Sequence, residues 1–314
     1  MNILSDITKA IGQTPLVELS RLFPSGARVL AKLESFNPGG SVKDRVALAI
    51  IEAAEASGKL PAGGTIVEAT SGNTGVGLAM VGAARGYQVV IAMPASMSRE
   101  RRLLMQAYGA QVVLTDPQGG MAAAVEAAER IVSQRPGAVL ASQFDNPANP
   151  STHYQRTGEE IWRDTDGQVA AVVAGVGTGG TISGVGRALR KYGSEALLVA
   201  VEPAESALIT TGQAGPHGIQ GIGANFIPAN YDPQVVDEVL TVSTDEAMSY
   251  ARQVAAQEGI LVGISAGAAL AGAARLAQRP ELAGKDVVVV LPDTGERYLS
   301  TALWTELDDA DDKR

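Results

Sequence analysis

One lysine in this chain stands where a lysine is poorly suited to being a cation. Lys43 lies in NPGGSVKDR (37–45), where a glycine pair hands over to a long apolar run. A phosphate-gripping Walker loop requires G-x-x-x-x-G-K-[ST], whereas Val42 and Asp44 flank this lysine. Ser41 and Asp44 have the spacing of a helix start with Ser41 as N-cap, and VALAIIEAAEASG (46–58) reads as the helix, ending at Gly58. Lys43 then falls in the first turn, where the partial positive charge of the helix disfavours a cation by about 0.3–1 kcal/mol. Most lysines are solvated surface charges. An amine held neutral suits a nucleophile or Schiff-base former instead.

Three glycine-rich turns could serve such a lysine. In EATSGNTGVG (68–77), Thr70, Ser71, Asn73 and Thr74 crowd hydroxyls and an amide around Gly72. With helix-end N–H groups and no arginine, that turn suits a carboxylate, or is simply a well-capped βα loop. In AGVGTGGTISG (174–184), Gly175, Gly177 and Gly180 satisfy G-x-G-x-x-G, and Glu202 ends the following strand, as in a dinucleotide site. The denser run Gly177, Thr178, Gly179, Gly180, Thr181 offers consecutive N–H groups and two hydroxyls, enough for one phosphate dianion without a basic residue. A single phosphate and a Schiff-base lysine point to pyridoxal phosphate. In LVGISAGAAL (261–270), Ser265 is an N-cap or, against such a cofactor, a neutral partner for the pyridine nitrogen, which favours β-elimination over a long-lived carbanion.

The elements that must position these turns follow a βα rhythm. Apolar runs at 65–69, 87–94 and 110–116 alternate with helix-period segments at 76–86 and 98–109. The rhythm restarts with VAAVVAG (169–175), a helix from about Thr181, LLVAVE (197–202) and DVVVVLP (286–292). QFDNPANPST (143–152) is the best lobe boundary. The fold class expected is α/β, two-lobed, three-layer αβα with parallel-rich sheets. The smaller, mobile substrate-binding lobe is placed at 36–150 with 1–12, and the larger, phosphate-binding lobe at 151–314 with 13–35. Residues 306–314 (ELDDADDKR) read as a solvated end.

Composition removes several alternatives. The chain has 314 residues, no cysteine and two histidines, so disulfides, zinc sites and Cys or His nucleophile triads lack raw material. A formal net charge of −9 without a basic block argues against nucleic acid or an anionic membrane as partner. The start MNILSDITKAIGQTP has no basic region followed by an apolar core, which makes the cytoplasm the expected compartment.

Taken together, NPGGSVKDR, TSGNTG, GTGGT, GIGANF, GISAGA and LPDTGERYLST, in this order from IGQTPLVEL (11–19) to YLST (298–301), resemble the cysteine synthase (O-acetylserine sulfhydrylase) family of the A type. That family has the fold-type II, tryptophan-synthase-β-like arrangement of pyridoxal 5'-phosphate enzymes. The resemblance implies Lys43 as Schiff-base lysine, 177–181 as phosphate cup and Ser265 as the pyridine-nitrogen partner. Ala266 stands where relatives often carry a second serine. It further implies Thr70, Ser71, Gly72, Asn73, Thr74 and Gln143 on the substrate carboxylate, Asn73 also on the cofactor's 3'-oxygen, and Gly221 on the substrate side. O-acetylserine would lose acetate through an α-aminoacrylate stage, and sulfide would then give L-cysteine, with Lys43 as general base. A homodimer is implied, as is a binding mode for the C-terminal tail of serine acetyltransferase.

Segment 220–226 (QGIGANF) lines the leaving-group side in that family and holds no Lys, Arg or His, so O-acetylserine is expected over O-phosphoserine. The one reservation is a basic group such as Arg99 or Arg101 folding back over the site.

Overall fold

A computed structural model describes residues 3–304; the acidic end at 306–314 lies outside the described residues. In chain order the strands are β1 (Leu16–Glu18), β2 (Arg28–Leu33), β3 (Thr65–Ala69), β4 (Gln88–Pro94), β5 (Gln111–Thr115), β6 (Ala138–Leu140), β7 (Val169–Gly175), β8 (Leu197–Pro203), β9 (Glu238–Val242) and β10 (Asp286–Leu291). The α-helices are α1 (Lys43–Ala56), α2 (Asn73–Arg85), α3 (Arg99–Ala107), α4 (Gly120–Gln134), α5 (Ala148–Thr152), α6 (Gly158–Asp164), α7 (Gly180–Lys191), α8 (Leu208–Thr211), α9 (Thr244–Glu258) and α10 (Ile264–Ala277).

The chain divides into two compact units. The first comprises the residues through Ile11 with Asn37–Asn149, and the second comprises Gly12–Phe36 with the chain from Pro150 onward.

The first unit is a four-stranded sheet of order β5-β4-β3-β6, all pairs parallel. A parallel sheet must be covered on both faces, and the sequence supplies the cover: α1 and α2 contribute Val46, Ile50, Leu78 and Met80 to one core, and α4 contributes Ala124, Ala127 and Ala128 to another. The scarcity of aromatics is met by close backbone approach. A Cβ on Gly77 would lie 3.0 Å from the Lys43 carbonyl, so this glycine lets α2 sit against the start of α1.

The second unit is a six-stranded sheet of order β1-β2-β10-β7-β8-β9, in which only the β1–β2 pair is antiparallel. β10 (DVVVVL) is buried along its whole length, as the central strand of such a sheet must be. α9 and α10 pack on one face, α6 and α7 on the other. Among the described residues no helix is long and apolar enough to cross a membrane.

Candidate active site

In the first unit, α1 opens on Lys43 itself, three residues earlier than the apolar periodicity of 46–58 suggests, and ends at Ala56, with Gly58 left-handed beyond it (φ 69°). The start is not the capping box expected. Val42 occupies the N-cap position with helical backbone and no side-chain bond. Ser41 Oγ instead accepts the Lys43 N–H at 3.2 Å, and the buried Asp44 carboxylate accepts the Gly39 N–H at 2.6 Å. The physical reason is the tight glycine turn before the helix. A Cβ on Gly39 would lie 2.5 Å from Asp44 Oδ1, so the turn folds directly onto that carboxylate. Lys43 is left half-buried at the head of a helix.

The 70–74 turn joins β3 to α2. Thr70 N–H donates to the Ala92 carbonyl at 3.1 Å, and Gly72 N–H to Thr70 Oγ1 at 3.2 Å. Gly72 is the N-cap, extended and without a side-chain cap, so the first N–H groups of the 13-residue α2 are not capped by a side chain there. Thr74 Oγ1 donates to Gln143 Oε1 at 2.5 Å, bringing Gln143 to the turn.

Two groups from outside the turn reach it: Arg101, which the sequence offered only as a cation folding back over the site, and Glu68, which the sequence reading did not include. Arg101, from α3, donates from Nη1 to the Ser71 carbonyl at 3.3 Å, so the turn is not arginine-free as its own residues suggest. Glu68, at the end of β3, is 5% exposed, and burial pushes its carboxyl up to about 7 against the backbone N–H groups it accepts, with the charge of Asp145 adding to the rise. Glu68 precedes the turn in EATSGNTG, and an acid in an otherwise apolar strand was the available signal.

In the second unit, β7 ends at Gly175 and α7 begins at Gly180. Gly179 is the N-cap, left-handed at φ 77°, and a Cβ there would lie 2.6 Å from that of Tyr231. A Cβ on Gly177 would lie 2.3 Å from the Gly221 carbonyl. The cup is therefore glycine because its backbone is already in contact with its walls, leaving main-chain N–H groups and the Thr178 and Thr181 hydroxyls as donors at a helix head. Thr181 Oγ1 is hydrogen-bonded to Nε2 of the buried His153 at 3.3 Å, and His153 Nδ1 to Thr157 Oγ1 at 2.9 Å. A histidine orienting the cup had no sequence signal, because it sits in a one-turn π-helix (His153–Thr157) far from the glycines in sequence.

Ser265 is the second residue of α10 and is 3% exposed, which replaces the N-cap reading: the N-cap is Gly263. A Cβ on the left-handed Gly221 (φ 100°) would lie 3.3 Å from Ser265 Oγ, so the structure brings Gly177, Gly221 and Ser265 together. Glu202 accepts the Ile209 and Thr210 N–H groups at 2.7 and 2.9 Å and the Thr210 hydroxyl at 2.7 Å. That engagement removes the acid on which the dinucleotide reading depended. His217 Nδ1 lies 3.2 Å from the Ile219 N–H and Nε2 lies 2.8 Å from the Gly223 carbonyl.

Each unit taken by itself carries donors that a phosphorylated aldehyde cofactor can use: the first an amine at a helix head, the second a glycine-rich cup without Lys or Arg, suited to one phosphate, and a neutral hydroxyl suited to a pyridine nitrogen. These features define the class, a pyridoxal-phosphate enzyme. Residues 7–293 match the family described as pyridoxal-phosphate dependent enzyme, and the chain belongs to it. It is 50% identical over 314 aligned residues to cysteine synthase A of Escherichia coli (strain K12), covering 97% of each chain. A crystal structure of cysteine synthase from Entamoeba histolytica superposes with a TM-score of 0.94 at 45% identity, covering 97% of this chain and 91% of that one. A crystal structure of O-ureido-L-serine synthase gives 0.94 at 45% identity with 100% of both chains covered.

Proposed function

We propose that this chain converts O-acetyl-L-serine and sulfide to L-cysteine and acetate, as a cysteine synthase in cysteine biosynthesis. The observation that carries it is the 50% identity to cysteine synthase A across 97% of both chains, which runs through both units. Pyridoxal 5'-phosphate supplies an electron sink for the pair left when the substrate's α-proton departs. Lys43 holds the cofactor, and its released Nζ takes that α-proton as general base. Residues 177–181 hold the phosphate, with His153 fixing the Thr181 hydroxyl, and Ser265 Oγ pairs with the ring nitrogen. Asn73 serves the 3'-oxygen. Thr70, Ser71, Gly72, Asn73, Thr74 and Gln143 orient the substrate through its carboxylate, and Gly221 lines its leaving-group side.

In this reading the first unit is the mobile, substrate-binding one and the second holds the cofactor. The enzyme works as a cytoplasmic homodimer, and a serine acetyltransferase C-terminal tail competes for the carboxylate turn. Incubating the holoprotein with O-acetylserine and sulfide and quantifying L-cysteine and acetate tests the reading. Equimolar release of both is expected; a product carrying another nucleophile, or none, overturns it.

A further inference from the structure

Glu68 is a buried titratable group to which the roles above give no task. Its Oε2 accepts the Gln143 N–H at 3.3 Å, and the Ala69 and Ser142 N–H groups also bond its carboxyl. Ser142 holds a left-handed φ of 53°, a conformation that costs a serine free energy and persists only where its surroundings impose it. Two successive amides are thus turned onto one carboxyl. What they aim is Gln143, whose carbonyl accepts Asn149 Nδ2 at 2.8 Å and whose Oε1 accepts the Thr74 hydroxyl at 2.5 Å. A connected path of hydrogen bonds leads from the end of β3 to the residues assigned to the substrate carboxylate.

We propose that Glu68 is a positioning residue for that carboxylate: it props the left-handed backbone of Ser142 and the N–H of Gln143 so that the Gln143 amide is presented to the turn, and it does so as a neutral acid once substrate is bound. The inference rests on the carboxylate-turn reading above. An ionised Glu68 in a low-dielectric setting repels an incoming carboxylate, whereas its neutral form still accepts N–H bonds and carries no opposing charge. Binding the anion therefore draws a proton from solvent onto each Glu68 that is still ionised.

Most of the surrounding charges supply no counter-ion. Asp145 has the same sign and raises the proton affinity further. Arg85 on α2 is engaged by Glu52 and Glu55 at 2.8 and 2.6 Å, and Glu126, Glu129 and Arg130 on α4 are exposed. β4 and β6 carry no charged residue, and Arg101, which donates to the Ser71 carbonyl, keeps its charge at the turn, so it is the comparison of wild type with Glu68→Gln, in which Arg101 is unchanged, that isolates Glu68.

The test uses the holoenzyme and propionate, a carboxylate with no amino group to confuse the proton count. Calorimetry at pH 7 in two buffers of different ionisation heat reads proton uptake, and titrations at pH 6 and 8.5 read affinity. The wild type is expected to take up about half a proton and to bind about twentyfold more weakly at the higher pH. Glu68→Gln, an isostere of the neutral acid, is expected to bind without uptake and with the same affinity at both pH values. Glu68→Ala is expected to raise KM for O-acetylserine about tenfold with a smaller effect on kcat, and Gln at the same position to restore it. Wild-type proton uptake persisting in Glu68→Gln overturns the proposal, and this outcome does not depend on whether the alanine variant folds. Thr74→Ala separates the two readings: it weakens propionate binding if the turn holds carboxylates, and if it has no effect the turn assignment fails rather than the role of Glu68.

Discussion

Lys43 and Ser265 each stand within the first two residues of a helix, yet the roles proposed for them differ in kind. Lys43 has two tasks, holding the cofactor and moving the α-proton, whereas Ser265 makes one neutral hydrogen bond. Lys43→Ala is therefore expected to lower kcat about a thousandfold or more, the scale of a lost general base. Ser265→Ala should retain the cofactor and lose about fivefold, near the worth of one hydrogen bond. Steady-state kinetics on both variants, with cofactor content read from absorbance, checks the division. Comparable losses would contradict it.

Glu68 makes a second residue-scale prediction, this one in stability. Its carboxyl is raised from 4.5 to about 7 in the folded chain, so between those values the folded state keeps a proton that the unfolded state has lost. Stability therefore falls as pH rises through that window and stays reduced above it, by on the order of 3 kcal/mol at about 1.4 kcal/mol per pKa unit. Melting curves of Glu68→Gln and wild type should show the variant's advantage larger at pH 8.5 than at pH 5.5.

At the scale of elements, the central parallel strands were legible because they are short, largely apolar runs buried on both faces: 65–69 and 169–175 coincide with β3 and β7. Helix ends were harder, since α1 starts on side-chain and backbone bonds to Ser41 and Gly39 rather than on apolar periodicity. β2 (RVLAKL) hid behind its charges. Lys32 suggests a solvated position but is fully buried, bonded to Glu160 at 2.9 Å and to the Thr14 carbonyl at 2.6 Å, partners remote in sequence. The site divides the same way: the lysine, cup and carboxylate turn are local motifs, whereas Arg101, His153 and the Glu68 path exist only once distant segments meet.

The cup offers the element-scale test. Gly179→Ala must hold a left-handed backbone and place a methyl 2.6 Å from Tyr231 Cβ. Strain of about 1–2 kcal/mol plus that clash should displace the head of α7, lowering cofactor affinity about tenfold or more while far-ultraviolet circular dichroism stays near wild type. Equilibrium dialysis against pyridoxal phosphate measures it, and wild-type affinity would contradict the cup assignment.

For the whole molecule, substrate choice is the selective question. The 220–226 segment carries no Lys, Arg or His of its own. Burying the nearly dianionic ester of O-phosphoserine there without a partner costs several kcal/mol, so kcat/KM should favour O-acetylserine by about a hundredfold or more. Arg101 is bonded to the Ser71 carbonyl, in the turn proposed for the substrate's carboxylate rather than for its leaving group. Equal kcat/KM values for the two esters would show that a cation serves the leaving group after all.

If the amine that opens α1 holds the cofactor, borohydride reduction of the protein as purified, followed by peptide mapping, leaves a pyridoxyl group on Lys43 alone. A pyridoxyl group on any other lysine, or none anywhere, rules that assignment out.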